Sequence, residues 1–318
     1  MKLKIALFFT LFISQITFAE IIIPSYKMAE FDQAIVQLYQ NNHSSDLVTR
    51  LNTTSEYFLG KPYLEDALGE GPQAQFDQRP LYRTDAFDCV TYVATVLALI
   101  ESNNLTEFKK NIVKINYKNP PVIYRNRNHF MEIDWNPKNV KNGYLKDITR
   151  NFKDKEGKSI AKPAIAIIDK KSWFEHLTNH SLRLFSPISP SEQTQLLNEL
   201  HREGRFFGKE KSVVWYLPLT VLFDKEGNPN QFLFDQIPTG TIIEIIRPNV
   251  DLTTTIGTRM NITHLGFGIR KNNQLFFREA SLIENKVIDI PLSDYLHNYL
   301  HSPTIKGINV QKIMQVNH

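Results

Sequence analysis

The segment from Asp88 to Ile100 constrains the fold of this chain more than any other. After Cys89 it reads Val90, Thr91, Tyr92, Val93, Ala94, Thr95, Val96, Leu97, Ala98, Leu99 and Ile100, without a charge. From Val90, the apolar residues Val93, Val96, Leu97 and Ile100 recur at steps of three and four, which is the period of a helix. A helix this apolar has to be buried. Asp88 is a good N-cap immediately before the run, so Cys89 falls in the first turn. Backbone N–H groups there lack intrahelical acceptors, and the helix dipole favours an anion. A cysteine so placed has its thiolate favoured, and the thiolate is the nucleophile. Asp88 opposes this electrostatically, so a base is needed nearby, and histidine is the usual one.

Cys89 is also the only cysteine in 318 residues. Lys2 and Lys4 precede an almost wholly apolar stretch from Ile5 to Phe18, and Thr17-Phe18-Ala19 closes it before Glu20. A basic start, a short apolar middle and a small-residue end predict a secretory signal peptide over residues 1–19. The apolar part falls short of the ~20 residues that span a bilayer. The expected mature protein, residues 20–318, is periplasmic or secreted and has no integral membrane anchor. Exported compartments oxidise thiols, and a lone cysteine there is either a buried small hydrophobe or used. With 42% hydrophobic and 22% charged residues, the chain reads as one soluble domain with a sizeable core. Cleavage removes two lysines and no acid, lowering the formal charge from +4 to +2. So mild a basic balance excludes nucleic acid as the main partner and leaves mild affinity for an acidic polymer.

Of the nine histidines, His43, His301 and His318 lie in polar or terminal settings. His176 and His180 are four apart, as are His297 and His301. Either pair could hold a metal from one helix face, but neither has the Glu of an HExxH motif or a third ligand, and no metal is predicted. His264 differs. Around it Leu265, Phe267 and Ile269 alternate with His264, Gly266 and Gly268, a strand with an apolar face and a face with room for an approaching group. Asn272-Asn273 predicts a two-residue hairpin turn into a second strand, Leu275 to Ser281. Pairing across it sets Ile269 opposite Phe276, Gly268 opposite Phe277, Gly266 opposite Glu279 and His264 opposite Ser281. Glu279 then shares a face with His264, one diagonal away, and can orient the imidazole. Its other reading is a partner for Arg278, Arg270 or solvent.

Met28, Phe31, Ile35 and Leu38 mark an early helix, and Leu47, Val48, Leu51 and Phe58 a second, closed by Gly60 and Pro62. Asn104 to Glu107 starts another, and Ser189 to Glu192 is a capping box ahead of Leu196, Leu197 and Leu200. Residues 164–168, 213–217 and 241–246 read as strands. Helices first and strands later predict an α+β class. His129 and Asp134, close to Arg125, Arg127 and Trp135, either line a substrate pocket or hold a loop. Trp173 and Trp215 read as core.

Several of these pieces together resemble a known family. They are Gly60-Lys61-Pro62-Tyr63, Leu68-Gly69-Glu70-Gly71, the segment Asp85 to Val93, Thr263 to Ile269, Arg127 to Phe130, and Asp134-Trp135. They resemble the bacterial N-acetylmuramoyl-L-alanine amidase-like family (the DUF1460 group), placed with the NlpC/P60 cysteine peptidases. The resemblance covers most of residues 55–300. It implies a papain-like core, with a Cys opening a helix, a His on the following sheet and a third polar residue on the next strand. Cys89 and His264 match. Where relatives carry His before Ala-Ser, this chain has Glu279. The 175-residue separation of Cys89 from His264 implies a large insertion, about residues 105–235. The resemblance also implies that Tyr63 and Asp88 lie beside the nucleophile and help bind a peptide amine or polar backbone.

The expectation is a cysteine amide hydrolase without cofactor. His264 takes the Cys89 proton, Glu279 orients His264, and backbone N–H groups at the helix start hold the oxyanion. Export and the resemblance point to peptidoglycan or muropeptides, with cleavage at the muramyl–L-Ala amide or a stem-peptide γ-D-glutamyl bond. Two other readings share the fold: a non-catalytic muropeptide-binding protein, and a secreted cysteine protease or acyltransferase with a non-cell-wall substrate.

Overall fold

A computed structural model describes residues 25–41 and 46–315. The expected signal peptide over residues 1–19, His43 and His318 lie outside them. Four helices come first: α1 (Ser25–Asn41), α2 (Leu47–Glu56), α3 (Cys89–Ile100) and α4 (Leu105–Asn116). The strands are β1 (Leu145–Asp147), β2 (Lys162–Asp169), β3 (Lys209–Pro218), β4 (Thr241–Leu252), β5 (Thr258–Lys271), β6 (Gln274–Ser281), β7 (Lys286–Pro291) and β8 (Gly307–Ile313). They form one antiparallel sheet in the order β2-β3-β8-β4-β5-β6-β7, with β1 also on β8. The fold is mixed α+β.

The apolar run sits at the centre. Every residue of α3 from Thr91 to Ile100 is buried, and α3 packs against α2, α4, β5 and β6. Each fully buried Val, Leu or Ile contributes about 1.5–3 kcal/mol of transfer free energy, so the helix anchors whatever stands at its first turn. Leu265, Phe267 and Ile269 of β5 pack into the same core as α3. The sheet has a second apolar layer as well. Ile243, Ile245, Leu275 and Phe277 pack with Leu292, Tyr295 and Leu296 of the short helix Leu292–His297.

Residues 105–235 do not form a separate layer. They supply α4 and three strands, and β3 joins the sheet through Leu217 opposite Ile308 and Pro218 opposite Gly307. The strand closing that seam, β8, comes from the end of the chain. Trp173 and Trp215, read as core, are only partly buried. His176 ends the helix Lys170–Glu175 while His180 lies in a separate 3-10 turn, so the pair does not share a helix face. Among the described residues no group of three or more His, Cys, Asp or Glu is arranged to hold a metal, and no helix is long and apolar enough to cross a membrane.

The hairpin of β5 and β6 carries the expected turn. Asn272 and Asn273 both have positive φ, 48° and 65°, as a type I′ turn requires. Ile269 faces Phe276 and Gly268 faces Phe277. The ladder ends one step later, at Phe267 and Arg278, before the expected pairs of Gly266 with Glu279 and His264 with Ser281. The other side of β5 is irregular as well. His264 pairs with Ile245 of β4, but the next residue, Ile246, pairs with Ile262, leaving Thr263 as an extra residue. Such a bulge bends the strand and re-aims its neighbours.

Candidate active site

Asp88 positions the start of α3. Its Oδ1 accepts from the Thr91 N–H at 2.7 Å, while the Thr91 hydroxyl accepts from the Asp88 N–H at 2.9 Å, a reciprocal capping box. Its Oδ2 accepts from the Ala67 N–H at 3.1 Å and ties the 64–71 loop to the helix. Burial pushes the Asp88 carboxyl up, and these backbone donors oppose the rise. Both oxygens of a residue expected to meet substrate are therefore engaged in structure. With the Thr91 N–H on Asp88 Oδ1 and the Tyr92 N–H on the Asp88 carbonyl, helix geometry leaves the N–H groups of Cys89 and Val90 without an intrahelical acceptor.

Cys89 is partly exposed at this first turn, and it meets His264. The His264 side chain is 20% exposed, and its Nε2 pairs with Glu279 Oε2, which is 5% exposed. Nδ1 is the nitrogen left for the thiol. Burial disfavours the charged ring, but the charge and hydrogen bond of Cys89, then those of Glu279, outweigh it and hold His264 up at about 10. The three side chains come from α3, β5 and β6. The bulge at Thr263 sets the aim of the second.

The room expected beside His264 is filled. A Cβ on Gly266 would stand 2.6 Å from the Arg278 carbonyl oxygen and 2.7 Å from the Phe277 ring. Glycine is needed there because the neighbouring strand and ring press onto the backbone. Arg278 holds β6 in place. Its guanidinium is fully buried, donates to Asp289 at 2.6 and 2.8 Å, and reaches Ser55 Oγ at 2.8 Å and the Asn52 carbonyl at 2.9 Å on α2.

Tyr63 lies close enough to Cys89 to feel its charge. Its N–H donates to the Asn285 carbonyl at 2.9 Å, and it bridges to Phe87 just ahead of Asp88. Burial, then the charges of Cys89 and Asp88, raise its hydroxyl well above the ordinary tyrosine range, so it remains a neutral donor. His129 and Asp134 are elsewhere. They line a small cleft with Lys118, Arg125, Arg127, Lys170 and Trp173, and neither Cys89 nor His264 is part of that lining. Asp134 pairs with Lys170 at 2.5 Å and accepts from the Phe130 N–H at 3.2 Å. His129 Nε2 donates to the Tyr124 carbonyl at 2.7 Å, and its ring packs on Trp173. Burial, then Arg127, pulls His129 down to about 3, so it is a neutral donor holding a loop. Arg127 links this cleft to the 64–79 segment through Glu70 and Asp77.

Residues 53–305 match the model of the AmiA-like, N-acetylmuramoyl-L-alanine amidase-like family. The chain belongs to this amidase-like family. A DUF1460 protein of Legionella pneumophila, known by crystal structure, is 44% identical, with a TM-score of 0.87 over 91% of this chain and 96% of that one. An N-acetylmuramoyl-L-alanine amidase of Bacteroides uniformis shares the fold at 22% identity, with a TM-score of 0.57 over 85% of this amidase-like chain and 99% of its own. A putative xylanase of Bacteroides fragilis does so at 21% and 0.55, over 82% and 99%. No curated protein matches the chain significantly.

One feature of the site has no signature in the sequence. Tyr295, on the helix Leu292–His297, stacks on the His264 ring. It lies 31 residues beyond His264 in a segment with no motif, and only the packing of that helix on the sheet reveals it.

Proposed function

We propose that the protein is an exported cysteine amide hydrolase of peptidoglycan, with Cys89 as nucleophile, His264 as acid–base and Glu279 as the residue that orients His264. The observation that carries this is the partly exposed Cys89 thiol at the start of a buried helix, in contact with an imidazole whose Nε2 is held by Glu279. The N-terminal sequence supports export. The Cys-helix packed against the strands of His264 and Glu279 is consistent with a papain-like core of the NlpC/P60 type.

In this mechanism the Cys89 thiolate adds to the amide carbonyl carbon, and the oxyanion lies against the free N–H groups of Cys89 and Val90. His264 then gives its proton to the departing amine nitrogen as the C–N bond breaks, leaving a thioester. Having given its proton to the amine, His264 is neutral and can accept one from water. As water adds to the thioester carbonyl, one of its protons passes to His264; the C–S bond breaks, the carboxylic acid leaves and gives its proton to solvent, and the thiolate–imidazolium pair returns. Tyr63 is placed to donate to a polar group of the substrate. Asp88 acts mainly by fixing the first turn, while His129 and Asp134 hold a loop in a separate cleft.

Membership of the amidase-like family favours the amide between muramic acid and L-Ala over a γ-D-glutamyl bond. Mass spectrometry of products from a defined muropeptide tests both points. The expected products are a muramyl sugar and a peptide beginning with L-Ala. Cys89→Ala and His264→Ala should each lower turnover by about three orders of magnitude or more. A Cys89→Ala protein that digests at the wild-type rate would rule out the nucleophile, and a new terminus after the D-glutamyl residue would reassign the bond.

A further inference from the structure

His264 stands beside a bulge on the β4 side and has no strand partner on the β6 side. The ladder between β5 and β6 has ended before His264 is reached, so the strand pairing that fixes most side chains does not fix this one on that side. An imidazole has to be held in rotation about χ2 if one nitrogen is to stay on a carboxylate and the other on a thiol, and χ2 of histidine is a broad torsion. The contacts that could hold it are aromatic. The Tyr295 ring lies nearly parallel to His264, with centroids 6.4 Å apart and planes at 25°. The Phe277 ring meets the imidazole edge-on at 5.8 Å and 83°. Phe277 and Tyr295 touch each other at 4.8 Å, and Tyr299 backs Tyr295 at 5.2 Å. Tyr295 is only 9% exposed, and its hydroxyl is turned to Tyr299 as a hydrogen-bond partner.

We propose that Tyr295 is a positioning residue: with Phe277 behind it, its ring clamps the His264 imidazole so that Nε2 remains on Glu279 and Nδ1 remains toward Cys89. This rests on the catalytic reading of Cys89, His264 and Glu279. The ionisable groups facing His264 are Cys89 from α3, Glu279 from β6 and Tyr295 from the helix after β7, with Tyr299 beyond it. Burial, followed by the charge of Glu279, keeps the Tyr295 phenol protonated, so the tyrosine acts by shape and by its π-face, not as an acid or base. Tyr295→Phe should therefore preserve the function and Tyr295→Leu should not.

The readout is the rate at which iodoacetamide alkylates Cys89 near neutral pH, followed by intact mass and needing no peptidoglycan. Its companion is the kcat and KM split on a muropeptide. Aromatic pairing of this kind is worth up to about tenfold. Tyr295→Leu is expected to slow alkylation about tenfold and to lower kcat with KM nearly unchanged, while Tyr295→Phe stays within about threefold of the parent. Should Tyr295→Leu fail to fold, Tyr295→Met, which keeps bulk but not a flat ring, is read in the same assay with the same expectation. A folded Leu or Met variant alkylated at the parent rate overturns the proposal, as does a Phe variant as slow as Leu, which would place the role in the hydroxyl. Slow alkylation of the unsubstituted protein is a different outcome: it removes the nucleophile reading and the clamp with it.

Discussion

Replacing Glu279 by Gln isolates the charge of the third residue. The amide keeps an oxygen that can accept from His264 Nε2 and removes only the negative charge. His264 is lifted from 6.5 to about 10 against the cost of burial, and the two contributions of Cys89 outrank the two of Glu279. The alkaline limb of the kcat/KM profile should therefore fall but stay above 6.5. A fall of about one pH unit corresponds to ~1.4 kcal/mol of preference for the charged ring. The sign follows from linkage. His264 is more basic in the folded chain, so its pairing stabilises the fold fully below 6.5 and is lost as pH rises through about 10. The assay is kcat/KM on a purified muropeptide from pH 5 to 10.5, alongside Cys89 alkylation over the same range. At pH 7, below the alkaline limb of both proteins, the loss should be well short of the His264→Ala loss. Superimposable profiles for Glu279→Gln and the parent would refute a role for the Glu279 charge. A variant as inactive as His264→Ala would show that Glu279 does more than orient.

Asp88→Ala removes the N-cap of α3 and the tie to Ala67, and should cost about 1.5–3 kcal/mol in urea unfolding. Asp88→Asn should recover most of this, and a kcat/KM that stays low in the recovered protein would show that Asp88 also meets substrate. Glu244 is fully buried beside Asn136, which donates to its two oxygens at 2.8 and 3.1 Å. Burial raises Glu244 to about 8, so the folded chain keeps a proton that the unfolded chain releases above about 4.5. Stability should fall as pH rises from 4.5 through 8, by up to ~1.4 kcal/mol per pH unit from this group. Glu244→Gln should flatten that slope, and an equal slope in both proteins would show that Glu244 is already ionised.

The parts of the site that could be read ahead of the structure are those set by local pattern. The capping box at Asp88 and Thr91 and the period of Val93, Val96, Leu97 and Ile100 place Cys89 in a first turn without reference to the rest of the chain. Asn272-Asn273 places the hairpin, and the matched pairs nearest the turn are those the loop length dictates. Two steps farther the prediction weakens, because β5 also answers to β4, and the extra residue at Thr263 arises from that second pairing. The space expected beside His264 is absent for a related reason. Gly266 is small because Phe277 and the Arg278 backbone fill the volume, not because a substrate enters it. Asp88 also proved to be fully occupied, since its second oxygen meets Ala67, a residue 21 positions away.

By itself the amino-acid order settled a buried helix opening on one thiol, a strand bearing one histidine and a turn bringing a carboxylate back toward it. Periodicity, capping and turn chemistry act over a few residues and are visible in them. The tertiary structure decided how these meet: the seam made by β8 between β3 and β4, the bulge that aims His264, and the Tyr295 ring against it. Those depend on side-chain volumes packed from distant parts of the chain, where no local period records who the neighbour will be.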